Sequence, residues 1–262
     1  MAQNSNIEWT DHTDNLWWGC SKVHTGCKNC YAENLSNRFG KDIWGETKGR
    51  QRIKSAFTDL AKYQRQSEKK NTLSKVFIGS MMDIFEDDKP LVNPIPGYNT
   101  ISDLRLRLFS EIAHDKYPNL LFLFLTKRPE NIDKYLPSEI KYLDNLWFGT
   151  SISNKETVKY GYHLQKQDVK NRFLSIEPQV ERIRHLDMIG LLDSIDWVIQ
   201  GGESGPNKRP FNIEWAYEMK HTCHIHDTPY FFKQIDKVQP VPEDLLNREF
   251  PESFSKAPLL IH

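Results

Sequence analysis

The sequence is short of three things: cysteine, net charge and long apolar runs. Its 262 residues hold four cysteines and balance 35 Lys+Arg against 35 Asp+Glu. The strongest apolar run, residues 120–125, is far below the roughly 20 residues that a bilayer-spanning helix needs. The opening Met-Ala-Gln-Asn-Ser-Asn lacks the apolar core of a signal peptide. Balanced charge gives no argument for nucleic acid or an anionic membrane as an obligatory partner, although a local basic groove stays open. A cytoplasmic protein with no membrane partner is expected. The length can bury a large core, as one α/β barrel-like domain or two small ones. No repeat, low-complexity stretch or linker divides the chain, so a single domain over residues 1–262 is expected.

The scarce cysteines are clustered. Cys20, Cys27 and Cys30 fall in the pattern Cys-x6-Cys-x2-Cys within residues 17–31, and Cys223 is the fourth. In a reducing cytosol such clusters are more often metal ligands or catalytic thiols than disulfide partners. Three thiolates leave one iron of a cubane cluster, or one position of a tetrahedral metal, without a cysteine ligand. A [4Fe-4S] cluster held this way suits S-adenosylmethionine chemistry: the open iron binds the amino acid end of the cofactor, and the reduced cluster breaks its sulfur–carbon bond. The resulting 5′-deoxyadenosyl radical abstracts a hydrogen, and Trp17, Trp18 and Tyr31 are candidates to exclude water from it. Zn2+ is the alternative, because His24 could complete a closed Cys3His tetrahedron with the three cysteines, a structural site in a noncatalytic zinc-stabilised binding protein. The Cys27-x2-Cys30 pair is common to both chemistries.

Beyond the cysteine loop, residues 31–39 can form a short helix. Ile53, Phe57, Leu60 and Tyr63 recur at helical spacing, which predicts a helix over residues 50–68 with a basic outer face. Val76-Phe77-Ile78 reads as a strand. A proline-rich connection, residues 90–96, leads to a helix with the stripe Leu104, Leu108 and Ile112 after a Ser102 cap. Residues 120–125 are apolar on both faces, as in a buried parallel strand. Leu146-Trp147-Phe148, residues 172–176, Trp197-Val198-Ile199 and Tyr230-Phe231-Phe232 repeat the pattern. The fold class expected is α/β, a partial parallel (β/α) barrel of about six strands, with a strand–helix core over about 50–235 and a polar tail from about 236 to 262.

Such sheets build their sites at the carboxyl ends of their strands. Ser80, Asp83, Thr126, Lys127, Ser151, Glu177, Glu203 and Lys233 should therefore converge on one mouth beside the cysteine loop. Asp83 and Glu177 are candidates for cofactor amino or ribose groups, with a loop cap or a solvated turn as the plainer reading. Gly201 and Gly202 permit close backbone approach, and Glu203 could meet a ligand hydroxyl or ammonium. Thr126, Lys127, Arg128 and Lys233 are substrate-binding candidates, the cations suited to carboxylate or phosphate, against the plainer reading of solvated strand ends. Cys223 shares a helical stripe with Trp215 and Met219, which favours burial over ligation. His221, His224 and His226 fit an exposed helix end.

The loop, with Ile7-Glu8-Trp9-Thr10, resembles the three-Cys-motif family of phage and prophage proteins, a radical-SAM-like family of largely undefined function. The resemblance continues through Ser80-Met81-Met82-Asp83, Leu125-Thr126-Lys127-Arg128-Pro129, Arg172-Phe173-Leu174-Ser175-Ile176-Glu177-Pro178, Asp196-Trp197-Val198-Ile199-Gln200-Gly201-Gly202-Glu203-Ser204-Gly205-Pro206 and Phe231-Phe232-Lys233-Gln234. It implies a radical-SAM-like partial barrel, with a [4Fe-4S] cluster on Cys20, Cys27 and Cys30 and S-adenosylmethionine as cofactor. A small-molecule or nucleotide-like substrate and an electron donor such as flavodoxin or ferredoxin are expected as partners, in the cytoplasm, that of the host cell if the protein is phage-encoded. Usual radical-SAM enzymes carry Cys-x3-Cys-x2-Cys, so the six-residue first interval implies a different loop path. Their Gly-Gly-Glu motif commonly follows the second strand, whereas Gly201-Gly202-Glu203 comes later. By position Ser80 and Asp83 suit the methionine end, with Ser151, Glu177, Gly201, Gly202 and Glu203 as further cofactor-binding candidates.

Overall fold

Strands that are apolar on both faces need cover on both sides, and the computed structural model provides it. The structure describes residues 5–205, 207–246 and 248–255, so Pro206, the first four residues and the end of the expected polar tail lie outside the described residues. Seven strands form one sheet in sequence order: His12–Asp14, Ser74–Ile78, Leu120–Thr126, Leu146–Ser151, Asn171–Ile176, Trp197–Gly201 and Tyr230–Gln234. Every neighbouring pair is parallel. The sheet curls into a half-barrel.

Alternate side chains divide the core into two layers. Val76, Phe122, Phe124, Phe148 and Leu174 face outward, where Leu60 and Tyr63 of the helix Ala56–Lys70, Leu104 and Leu108 of Ile101–Ala113, Leu164 of Val158–Gln165 and Met219 of Glu214–Ile225 cover them. Phe77, Leu121, Leu123, Trp147, Phe173, Trp197, Ile199 and Phe231 face inward. Trp9 packs on Phe77 with ring centroids 4.7 Å apart, while Phe250 and Phe254 pack on Trp197 at 5.5 and 5.3 Å. These aromatics fill the amino-terminal half of the half-barrel and leave its carboxyl end to polar residues.

The structure corrects several expectations. Among the described residues the parallel sheet has seven strands, and the added one, His12–Asp14, precedes the cysteine loop, so the core begins well before residue 50. The helix expected from residue 50 begins at Ala56. Gln51–Arg52 instead pair antiparallel with Trp17–Trp18, and Arg50 is fully buried rather than part of a basic outer face. The proline-rich connection is a hairpin of Pro90–Ile95 and Tyr98–Thr100. Thr100, not Ser102, caps the following helix, with its N–H bonded to Asp103 Oδ2 at 2.9 Å. Phe250 and Phe254 return to the inner layer, so the chain beyond residue 236 is not uniformly a polar tail.

Candidate functional site

The cysteine loop leaves the first strand and crosses the carboxyl end of the sheet. Gly19 has φ +117° and donates its N–H to the carbonyl of Met81 at 3.2 Å. A Cβ there would sit 2.3 Å from the carbonyl oxygen of Ile43, so only glycine follows this path. Cys20 then points its thiol at the carbonyl of Ser21, 3.4 Å away. Cys27 closes a 3-10 turn, Thr25–Cys27, whose cap is His24: Nδ1 accepts the N–H of Gly26 at 2.9 Å. A Cβ on Gly26 would lie 2.3 Å from Ser153 Oγ, so the turn rests directly on the exit of the fourth strand. Cys30 is the N-cap of the helix Tyr31–Arg38. All three cysteines are free thiols. Burial pushes the Cys20 thiol up to about 12, aided by Glu86 and Asp83 and opposed by Arg128. Burial also raises Cys30, against the amides of its helix start and Lys127. His24 is held at about 3 by burial and by Lys127 and Arg128, so its ring is neutral.

A buried ionic network fixes the loop from below. Arg128 leaves the third strand and donates to Asp83 Oδ2 at 3.1 Å and the carbonyl of Ser21 at 3.1 Å, and its Nη1 lies 3.7 Å from Cys20 Sγ. Asp83 Oδ1 accepts from Thr126 Oγ1 at 2.6 Å and the N–H of Phe85 at 3.1 Å, while Oδ2 also takes the N–H of Lys127 at 3.0 Å. Deeper in, Arg50 forms two hydrogen bonds with Glu86 and donates to the carbonyls of Ile43, Gly45 and Lys48. Ser21 Oγ joins the two, accepting from Arg50 and donating to Glu86.

A second fastening comes from the Gly-Gly-Glu segment. Glu203 accepts from Asn29 of the loop at 2.9 Å and from Arg209 through its main chain and side chain, and Arg209 also donates to the carbonyl of Thr25 at 3.2 Å. Burial pushes the Glu203 carboxyl up, but the hydrogen bonds from Arg209 and Asn29 outweigh it and hold the carboxyl below its usual range. Gly202 approaches so closely that a Cβ would lie 2.0 Å from the carbonyl oxygen of Ile235.

Residues 4–249 match a family model described as "Protein of unknown function (DUF5131)". The chain belongs to the DUF5131 family. The match spans all seven strands, the cysteine loop and both of its fastenings. No curated protein matches the sequence.

In this DUF5131 chain the remaining strand exits line the mouth. Alternation from the inward aromatics puts Gly149, Ser151, Ser175 and Gly201 on the inner face, small residues in place of the bulky ones below, together with Leu125 and Lys233. Lys127 Nζ bonds Ser151 Oγ at 3.2 Å. Lys233 pairs with Glu177, whose peptide bond to Pro178 is cis. Ser80 accepts at Oγ from Asn15 at 2.8 Å and at its carbonyl from the Tyr31 hydroxyl at 2.5 Å. Trp17 is buried and Trp18 half-buried, but Tyr31 is 55% exposed, so it contributes an anchor more than a water-tight wall.

Most of the sequence candidates therefore meet at one end of the sheet, but with divided tasks. Asp83, Arg128 and Glu203 are engaged in holding the loop; Lys127, Ser151, Glu177 and Lys233 stand on the wall. Sequence reasoning missed Arg50, Glu86, Ser21 and Asn29, whose side-chain partners lie far away along the chain, and Arg209, which joins nearby Glu203 to the distant carbonyl of Thr25. Cys223 is fully buried in the outer layer, and burial raises its thiol further. His221 and His224 are exposed, while His226 bonds Asp193 Oδ1 at 2.8 Å. A cleft of about 380 Å³ beside Cys223, His224 and Tyr230 lies at the amino end of the last strand, away from the mouth. Among the described residues, no three His, Cys, Asp or Glu side chains stand close enough to hold a single metal ion.

Proposed function

We propose that Cys20, Cys27 and Cys30 hold a [4Fe-4S] cluster and that the chain is a radical-SAM-like enzyme of the three-Cys-motif phage kind, acting on a small or nucleotide-like substrate. The observation that carries this reading is three free thiols fastened across the carboxyl-end mouth of a parallel half-barrel, beside the cations Lys127 and Arg128. These cations oppose the burial that keeps the free thiols protonated, and they would offset the charge of a thiolate-bound group.

We read the donor set as that of a cluster and not of one Zn2+, because among the described residues no three candidate ligands gather to hold a single ion. Four ligands at about 2.3 Å around zinc bring sulfurs to roughly 3.8 Å of each other. Cysteines of a cubane bind separate irons and stand further apart. Nor does His24 suit a fourth zinc ligand. A histidine bound to metal through Nε2 carries its proton on Nδ1, where it needs an acceptor; here Nδ1 faces the N–H of Gly26. Ligation would set two donors against each other.

When bound, the cluster and S-adenosylmethionine supply one-electron cleavage of the sulfonium and hydrogen-atom abstraction, with the electron drawn from a flavodoxin- or ferredoxin-like donor. The chain's own residues supply placement. Ser80, Ser151, Glu177, Gly201 and Gly202 would border the cofactor, Asp83 and Glu203 hold the loop that would cap it, and Lys127 and Lys233 present cations on the wall together with Thr126 and Arg128 at the exit of the third strand. Formation of 5′-deoxyadenosine from S-adenosylmethionine, on dithionite addition to anaerobically reconstituted protein, tests the enzyme reading. Absence of that product from fully loaded protein contradicts it.

A further inference from the structure

Arg128 has more to do than close an ion pair. It is 8% exposed, its main-chain N–H is pinned to Thr126 Oγ1 at 2.9 Å, and its guanidinium sits between carboxylates and a thiol. Nη1 lies 3.1 Å from Asp83 Oδ2 and 3.7 Å from Cys20 Sγ, while Nη2 lies 3.5 Å from Glu86 Oε1. Glu86 is already matched by two hydrogen bonds from Arg50. The buried set Arg50, Arg128, Glu86 and Asp83 is thus neutral, with Nη1 of Arg128 shared between Asp83 and one sulfur and Nη2 on the carbonyl of Ser21. Among the described residues, Cys20 is the one cysteine of the loop that receives a charged hydrogen-bond donor.

Hydrogen bonds and charge at ligand sulfurs tune an iron–sulfur group's potential. Reduction adds negative charge, so a cationic donor at a ligand sulfur stabilises the reduced form over the oxidised one. We infer that Arg128 is a positioning residue that raises the reduction potential of an iron–sulfur group held through Cys20, and that Asp83 moderates it. The inference rests on the iron–sulfur reading above.

The two partners of one ion pair then have opposite effects. Arg128→Gln removes the cation and moves the midpoint potential to more negative values; Asp83→Asn removes the opposing anion and moves it to more positive values. A loosened loop has no reason to shift the two variants in opposite directions. Arg128→Lys, which keeps the charge but not the fork, falls between wild type and Arg128→Gln.

The test is an anaerobic redox titration of reconstituted full-length protein, followed by electron paramagnetic resonance, with iron and sulfide measured on each sample. Opposite shifts, each corresponding to a tenfold or larger change in the reduction equilibrium (about 59 mV for a one-electron couple), support the inference. Iron-loaded variants with unmoved midpoints, or midpoints moved the same way, overturn it and leave the iron–sulfur reading standing. Wild-type protein that binds no iron overturns both. Should Arg128→Gln not fold, Arg128→Lys and Asp83→Asn carry the same sign test.

Discussion

The guanidinium of Arg50 and the carboxylate of Glu86 meet entirely out of solvent, Nε to Oε2 at 2.8 Å and Nη2 to Oε1 at 2.6 Å. The pair ties the chain after the cysteine loop to the segment after the second strand. Removing one partner strands a buried charge, so Arg50→Met or Glu86→Gln alone should cost about 3–5 kcal/mol. Replacing both, as Arg50→Met with Glu86→Gln, should cost clearly less than the sum. Urea denaturation of the two single variants and the double variant measures this, and additive losses would argue against the pair as a unit.

Gly19 gives a sharper local test. Its φ of +117° and the 2.3 Å approach of a Cβ to the Ile43 carbonyl oxygen leave no room for a side chain. Gly19→Ala should lower stability by about 2 kcal/mol or more. A thermal melt of the variant that matches wild type would mean that the loop takes another path.

Much of the sheet was legible because a strand buried on both faces is a run such as 120–125 that no loop or amphipathic helix imitates. Its exits followed from parallel topology. His12–Asp14 escaped notice because three residues, two of them charged or titratable, carry no apolar signal; pairing with Ser74–Ile78 makes them a strand. Arg50 was placed on a helix because the helical spacing of Ile53 and Phe57 extends smoothly backward, whereas its partner Glu86 is 36 residues away and no local pattern joins them. The same holds for Asn29 and Glu203, 174 residues apart. Glu203 was visible as chemistry-bearing, but its use as a fastening was decided by tertiary contacts alone.

That fastening has a pH signature. The Glu203 carboxyl sits below its usual range, with burial outweighed by Arg209 and Asn29, so its contribution is present above the unfolded value of about 4.3 and is lost as pH falls through the folded value. Glu203→Gln should reduce hydrogen-exchange protection of amides over residues 25–30 at pH 7 by about 1–2 kcal/mol. The difference between wild type and variant should shrink in acid. Equal protection at pH 7 would remove Glu203 from this role.

Asp14 behaves in the opposite sense. It is fully buried, with Oδ1 bonded to the N–H of Asn15 at 2.7 Å and Oδ2 without a partner among the described residues. Burial raises its carboxyl well above the usual range. A raised folded value means that stability is complete below the unfolded value of about 3.9 and declines as pH rises toward the folded one, by about 1.4 kcal/mol per unit. Asp14→Asn should remove that slope and gain on wild type between pH 5 and pH 8. Denaturation curves with parallel pH dependence would contradict this.

The most direct test of the central claim is the content of iron, acid-labile sulfide and zinc in protein purified and reconstituted without oxygen. The account predicts iron and sulfide in equal amounts at a stoichiometry of four each, lost on alanine substitution of Cys20, Cys27 or Cys30 and retained in His24→Ala. One zinc per chain without iron or sulfide, lost in His24→Ala, would contradict it.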